Sequence, residues 1–294
     1  MAKEQMGTFC KRERMNDLKE IKRACLLAMA TFLIASLGFS QSVLAEGSEG
    51  QTFFYKEQTL LTPIEAEWSY EGKNGPDYWE TLSKEYEACG KGETQSPIDI
   101  ETEPASKLDR ADFDLVFDYN ETIYSVEDHD EIFQANSFDL DNNTLTLDDE
   151  DYRLKQIALH TPSEHTIDGE EYPLEIQLVH ENEDEEQLVI SVMAEEGKED
   201  KVLKKVWMAL PKADGVANRA VDFDASELIP ELDSLYTYEG SITTPPCTEN
   251  VTWFVSDEPI SLSDEQIEAV QKVSSENNRP IQDVNKRDIL KVQP

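Results

Sequence analysis

Three of the four histidines in this chain, His160, His165 and His180, lie within residues 160–180, together with Glu164 and Glu175. Imidazole and carboxylate are ligands that hold metal ions, so a site built from His160, His165, His180 and Glu175 is one chemical reading of the stretch. Strand periodicity sorts these residues. In Lys155-Gln-Ile-Ala-Leu-His160 successive side chains alternate, which puts Gln156, Ala158 and His160 on one face and Ile157 and Leu159 on the other. In Leu174-Glu-Ile-Gln-Leu-Val-His180 the same rule groups Glu175, Gln177 and Val179. A polar face on two successive strands within an apolar stretch suggests a lined cavity. The competing reading is a row of buried polar groups that satisfy one another by hydrogen bonds. Two further candidates are weaker. His129 sits inside the charge run Glu127-Asp-His-Asp-Glu131 and reads as a solvated loop histidine. Asp139 to Glu150 carries acids at the first, third and twelfth places of an EF-hand calcium loop. Thr144 stands where that loop's turn needs glycine, and no helices flank it, so the segment reads as a strand and turn with an acidic rim.

The elements that must position these residues are mostly strands. Runs at Phe113–Asp118, Thr144–Leu147, Leu154–His160, Pro173–His180, Leu188–Ala194 and Val251–Ser256 have strand character. Two helices are expected: one over about Lys201 to Leu210 with Val202, Val206 and Leu210 on one face, and one after the capping box Ser263-Asp-Glu-Gln266, with Ile267 and Val270 facing the core. From Trp68 onward there is no repeat and no second linker. The expectation is one domain over 67–294, mainly β with short helices (α+β), around a large twisted, mostly antiparallel sheet.

Composition narrows the partners. The first 45 residues hold 7 Lys/Arg and 4 Asp/Glu, which leaves 19 basic and 59 acidic residues after them, a net charge of −40. Such a surface repels nucleic acid and anionic lipid. Lys19, Lys22 and Arg23 precede an apolar run from Ala24 to Phe39, and Val43 and Ala45 fit a small-x-small cleavage site. Residues 1–45 therefore read as a signal peptide, 46–66 as a polar arm, and the mature chain as extracytoplasmic or secreted and not membrane-spanning. Cys89 and Cys247 then remain as an even pair in an oxidising compartment, which argues for one disulfide.

Six blocks carry a resemblance: Trp68-Ser-Tyr-Glu-Gly, Asn74-Gly-Pro-Asp-Tyr-Trp79, Gln95-Ser-Pro-Ile-Asp99, His160-Thr-Pro-Ser-Glu-His165, Tyr238-Glu-Gly-Ser-Ile-Thr-Thr-Pro-Pro-Cys247 and Asn277-Asn-Arg-Pro-Ile-Gln282. In this order they resemble the secreted bacterial alpha-class carbonic anhydrases, whose disulfide falls where Cys89 and Cys247 stand. The resemblance implies three zinc-binding histidines at positions 158, 160 and 177. Here those positions hold Ala158, His160 and Gln177. It further implies that Thr243 and Glu164 match the pair that orients a zinc-bound hydroxide, and that Glu175 and Gln156 match supporting residues behind the ligands. Val179, Val189, Ile242, Val251 and Trp253 match the apolar wall that receives carbon dioxide. The proton-shuttle position falls on Asn136, which cannot shuttle a proton, and His165 and His180 match structural positions.

Catalytic zinc takes three protein ligands plus water, and a neutral amide is a poor donor beside imidazole. The expectation is therefore a carbonic-anhydrase-related protein with no bound cofactor and no carbon dioxide hydratase activity, whose cleft serves an unidentified small ligand or protein partner. The alternatives are an active carbonic anhydrase with an unusual metal site, and a structural or adhesive surface protein.

Overall fold

Short runs rich in β-branched and aromatic residues build sixteen strands among the described residues. In chain order they are β1 (Asp99–Ile100), β2 (Ser106–Asp109), β3 (Leu115–Tyr119), β4 (Thr122–His129), β5 (Ile132–Ser137), β6 (Asn143–Leu147), β7 (Glu150–His160) and β8 (Thr166–Ile167). There follow β9 (Glu170–Glu171), β10 (Leu174–Glu181), β11 (Gln187–Glu196), β12 (Arg219–Phe223), β13 (Leu235–Ser241), β14 (Glu249–Ser256), β15 (Ile260–Leu262) and β16 (Leu290–Gln293). The computed structural model describes residues 66–294 except 104–105, 111–112, 130–131, 210–218, 231, 233, 273, 275 and 294. The expected signal peptide, and all of the expected arm but Ala66, lie outside the described residues.

The large sheet runs β12-β4-β5-β7-β10-β11-β14-β13-β16-β2, with β3, β6 and β15 attached to it, thirteen strands in all among the described residues. Most neighbours are antiparallel; β11 with β14, β11 with β15, and β16 with β2 are parallel. Strands β1, β8 and β9 form a separate small sheet. The fold class thus agrees with the sequence expectation, and so do the six expected strands, to within a few residues at their ends. The acidic segment Asp139–Glu150 is a strand and turn. Leu147 faces Glu150 across a two-residue connection, and both Asp148 and Asp149 have positive φ, as a tight hairpin of primed type requires. His129 is a correction: its backbone ends strand β4, opposite Ile132, and is not loop. The charge run around it hid a hairpin that pairing with β7 and β12 holds in place.

Cross-strand register divides the sheet into two faces. One face carries Ile157, Leu159, Ile176, Leu178, Leu188, Ile190, Val192 and Phe254, packed in the main apolar core. The helices Lys201–Ala209 and Asp264–Gln271 cover it through Leu203, Val206, Ile267 and Val270. The second helix has the expected capping box, Ser263 with Gln266. The first turns Leu203 inward beside Val206, while the side chain of Val202 and residue Leu210 fall outside the described set. The opposite face carries the polar row and a second apolar cluster.

His180 belongs to the covered side. Its Nδ1–H donates to the Leu188 carbonyl at 3.2 Å, and its Nε2 accepts from the Tyr119 hydroxyl. Burial lowers its pKa to about 4, partly offset by backbone hydrogen bonds to Leu188 and Leu178. A group whose folded pKa lies below its unfolded one takes up more protons when unfolded between the two values, so its contribution to stability is lost as pH falls through that window. Denaturation midpoints should fall between pH 6.5 and about 4, by an amount on the order of 3 kcal/mol of stability. A His180→Gln variant should lose that slope; an unchanged slope would locate the titration elsewhere.

Cys89 and Cys247 are bonded, with Cα atoms 5.1 Å apart and a sequence separation of 158. On the chain-entropy model a loop of that length stabilises by about 5 kcal/mol as an upper figure. Cys89→Ser with Cys247→Ser should therefore lower the melting temperature by about 10 °C, measured by scanning calorimetry. A shift of under about 2 °C would mean that the unfolded chain gains little freedom from losing the link.

Candidate functional site

The polar face assembles where β7, β10 and β11 lie side by side. Glu175 is opposite His160 and Met193, Gln177 is opposite Ala158 and Ser191, and Val179 is opposite Gln156 and Val189. Directly opposed residues share a face, so positions 158, 160 and 177 do come together, as period-two alternation predicts. All three are buried.

Glu175 is the best-satisfied group of the site. Its Oε2 accepts from the backbone N–H of Glu164 at 2.9 Å and of His165 at 2.8 Å. Its Oε1 accepts from His165 Nδ1 at 2.9 Å, Gln177 Nε2 at 3.0 Å and Ser191 Oγ at 2.8 Å. Burial pushes its pKa up, but the His165 imidazole and N–H and, less strongly, the neighbouring His160 outweigh that and bring it to about 2. A hydrogen-bonded chain runs on from there: Ser96 Oγ–H to Tyr238 Oη at 2.8 Å, Tyr238 O–H to His165 Nε2 at 2.6 Å, and His165 Nδ1–H to Glu175. Burial holds the Tyr238 phenol far above its ordinary pKa, so it donates and does not ionise.

His160 donates Nδ1–H to the Asn277 carbonyl at 2.8 Å. That leaves Nε2 with its lone pair, 3.6 Å from Glu164 Oε2. Glu164 accepts from the Arg279 N–H at 2.9 Å on Oε1 and from Gln177 Nε2 at 2.8 Å on Oε2. Arg279 itself is buried; its guanidinium donates to the carbonyls of Ser96 and Cys89, each at 2.7 Å, and burial lowers its pKa to about 10, so it stays charged.

Several sequence expectations change in detail. Glu175 does face the Gln177 amide, but His165 and Ser191 share it. Gln156, expected behind the ligands, donates to Gln134 on β5. Thr243 is buried in the turn between β13 and β14, and among the described residues no hydrogen bond joins it to Glu164. A metal site from His160, His165, His180 and Glu175 does not form. Both nitrogens of His165 are committed, and His180 lies on the covered face. Asn136 lies on β5 opposite Gln156, half-buried. Val189, Val251 and Trp253 lie fully buried in one apolar cluster, with Val179 and Ile242 packed against it. Sequence reasoning missed Ser191, although it is the one polar residue in an apolar strand run and alternation places it with Glu175.

The donor set does not fit zinc. Position 158 offers a methyl group, buried in a cluster with Tyr70, Trp79, Tyr86, Cys89 and Cys247. Position 177 offers an amide whose N–H groups are turned onto two carboxylates. Of the three positions only 160 offers an imidazole, position 177 has at most a neutral amide oxygen, and among the described residues no three His, Cys, Asp or Glu side chains group as a metal site.

One face of the open, mixed sheet thus carries a buried polar row beside an apolar cluster, and comparison with known proteins gives the class of fold. The family model for eukaryotic-type carbonic anhydrase matches residues 74–293. The chain is 36% identical to the carbonic anhydrase of Neisseria gonorrhoeae over 224 residues, 76% of this chain and 87% of that one. The alpha-carbonic anhydrase of Thermovibrio ammonificans, solved with the inhibitor sulfanilamide, superposes with a TM-score of 0.72 at 36% identity, over 76% of this chain and 99% of that one. A dioscorin solved with ascorbate superposes with a TM-score of 0.69 at 28% identity, over 76% of this chain and 97% of that one. The chain belongs to the eukaryotic-type, or alpha-type, carbonic anhydrase family, whose enzymes are zinc-dependent lyases.

Ala158→His together with Gln177→His should create a centre holding about one zinc per chain, because three imidazoles would then share a face across paired strands. Either change alone should bind far less in metal analysis after dialysis. A folded double variant that holds no more zinc than the parent would mean that the cleft has lost the shape of a ligand triangle.

Proposed function

We propose that this protein is a carbonic-anhydrase-related member of its family that acts outside the membrane without hydrating carbon dioxide, and that its cleft is kept for binding. The observation that carries this reading is the pair Ala158 and Gln177, one a methyl group and the other an amide turned donor-first onto Glu164 and Glu175. Zinc supplies this chemistry by lowering the pKa of its bound water to about 7, and carbonic anhydrase is itself the standard example. A water without that help keeps a pKa near 15.7 and is no nucleophile at neutral pH. The apolar wall of Val179, Val189, Ile242, Val251 and Trp253 and the polar row beside it support retention of a cleft that recognises something.

The location outside the membrane is supported by the signal-like segment before Glu46 and by the bond between Cys89 and Cys247. No helix among the described residues is long and apolar enough to cross a membrane. The strongly negative net charge argues against nucleic acid as a partner.

The purified mature protein should contain far less than one zinc per chain and hydrate carbon dioxide no faster than buffer, both measured on the same sample. One tightly held zinc with chelator-sensitive activity would instead establish an enzyme with an unusual metal site. Ligand-dependent rises in melting temperature would separate a binding cleft from a purely structural protein, and ascorbate is a first probe because a dioscorin of this fold was solved with it.

A further inference from the structure

We propose that Gln177 is a positioning residue that takes the place of the missing cation, holding two buried carboxylates together with one amide. Removing a metal from a buried centre leaves its anionic surroundings without a countercharge. Glu164 and Glu175 are both buried, and both point an oxygen at the same spot. A primary amide has two N–H donors on one nitrogen, which matches two acceptors converging from different directions. Gln177 Nε2 lies 2.8 Å from Glu164 Oε2 and 3.0 Å from Glu175 Oε1, so it spends one donor on each. The two carboxylates are not equal in their dependence. Glu175 has four other donors, whereas Glu164 has one, the Arg279 N–H. The His160 Nε2 nitrogen lies 3.6 Å from Glu164 Oε2, beyond hydrogen-bond range. Gln177 therefore does more than vacate a ligand position. It ties the Glu164 carboxylate to β10, and Glu164 is the residue that the family resemblance pairs with Thr243. In this arrangement the substitution that removes a ligand also stabilises the metal-free state.

This inference rests on the metal-free reading above, so the test is run throughout in a strong chelator and reads stability, not activity. Gln177→Leu keeps nearly the same volume but removes both donors, leaving a buried carboxylate oxygen unpaired, which is a costly change. Its melting temperature should drop by about 10 °C or more. Adding Glu164→Gln should recover at least half of that loss. The new amide is uncharged, still accepts from Arg279, and can turn its N–H groups toward the His160 Nε2 lone pair. Ser191→Ala, which removes one of the five donors on Glu175, should shift the melting temperature by less than half as much as Gln177→Leu. If Gln177→Leu alone does not fold, a folded Glu164→Gln/Gln177→Leu protein still supports the bridge, and an unfolded one overturns it. Gln177→Leu within about 2 °C of the parent would overturn it, as would a double variant no more stable than Gln177→Leu. Failure of the metal-free reading would show separately, as a parent whose melting temperature rises with zinc and falls with chelator.

Discussion

A carboxylate fixed in the middle of a sheet with no access to water is costly unless the surrounding chain supplies what water would have supplied. Glu175 is that group here, and five donors answer it: two backbone N–H groups from residues 164 and 165, the His165 imidazole, the Gln177 amide and the Ser191 hydroxyl. The geometry this demands reaches well beyond one residue. The segment after β7 must bend so that two successive N–H groups converge on a single oxygen, which places Glu164 beside His160. His165 must then present Nδ1, which leaves Nε2 to be satisfied by Tyr238, and Tyr238 in turn by Ser96. A break anywhere in that chain leaves a buried polar group unpaired.

The two positions where the family resemblance implies histidine and this chain has another residue, 158 and 177, differ physically. Ala158 turns its position apolar and joins a cluster formed by the aromatic segment at Tyr70, Trp79 and Tyr86 and by the disulfide. Nothing polar is left there to satisfy. Gln177 keeps its position polar, and its amide answers the two carboxylates nearest to it. Of the three positions that the resemblance implies as histidine, only 160 has one, and its Nδ1 is held by the Asn277 carbonyl.

The sheet face away from the helices is anchored by residues far apart in sequence. Arg279 reaches the carbonyls of Ser96 and Cys89 with its side chain and Glu164 with its backbone N–H. The same guanidinium lies 5.7 Å from the centre of the Trp79 ring. The disulfide then joins the Cys89 segment to the turn that carries Thr243. The early aromatic segment, the cleft and a late loop are thus tied at one place, by a charge and a covalent bond.

Much of this was legible in the residue pattern, because alternation is a local rule. Gln156, Ala158 and His160, and likewise Glu175 and Gln177, had to share a face once their segments were strands. Ser191 was open to the same reasoning. The capping box at Ser263 and the hairpin turn at Asp148 and Asp149 are local too. Strand β4 was hidden because its acidic end looks solvated by composition, and only pairing across the sheet makes it a strand. The sequence alone therefore determined the fold class and which residues of neighbouring strands could share a face. The tertiary structure decided which donor each buried oxygen receives: that Gln156 turns to Gln134, and that Gln177 is shared between Glu164 and Glu175. Those choices depend on contacts between residues distant in the chain, where distance and direction, not residue type, select the partner.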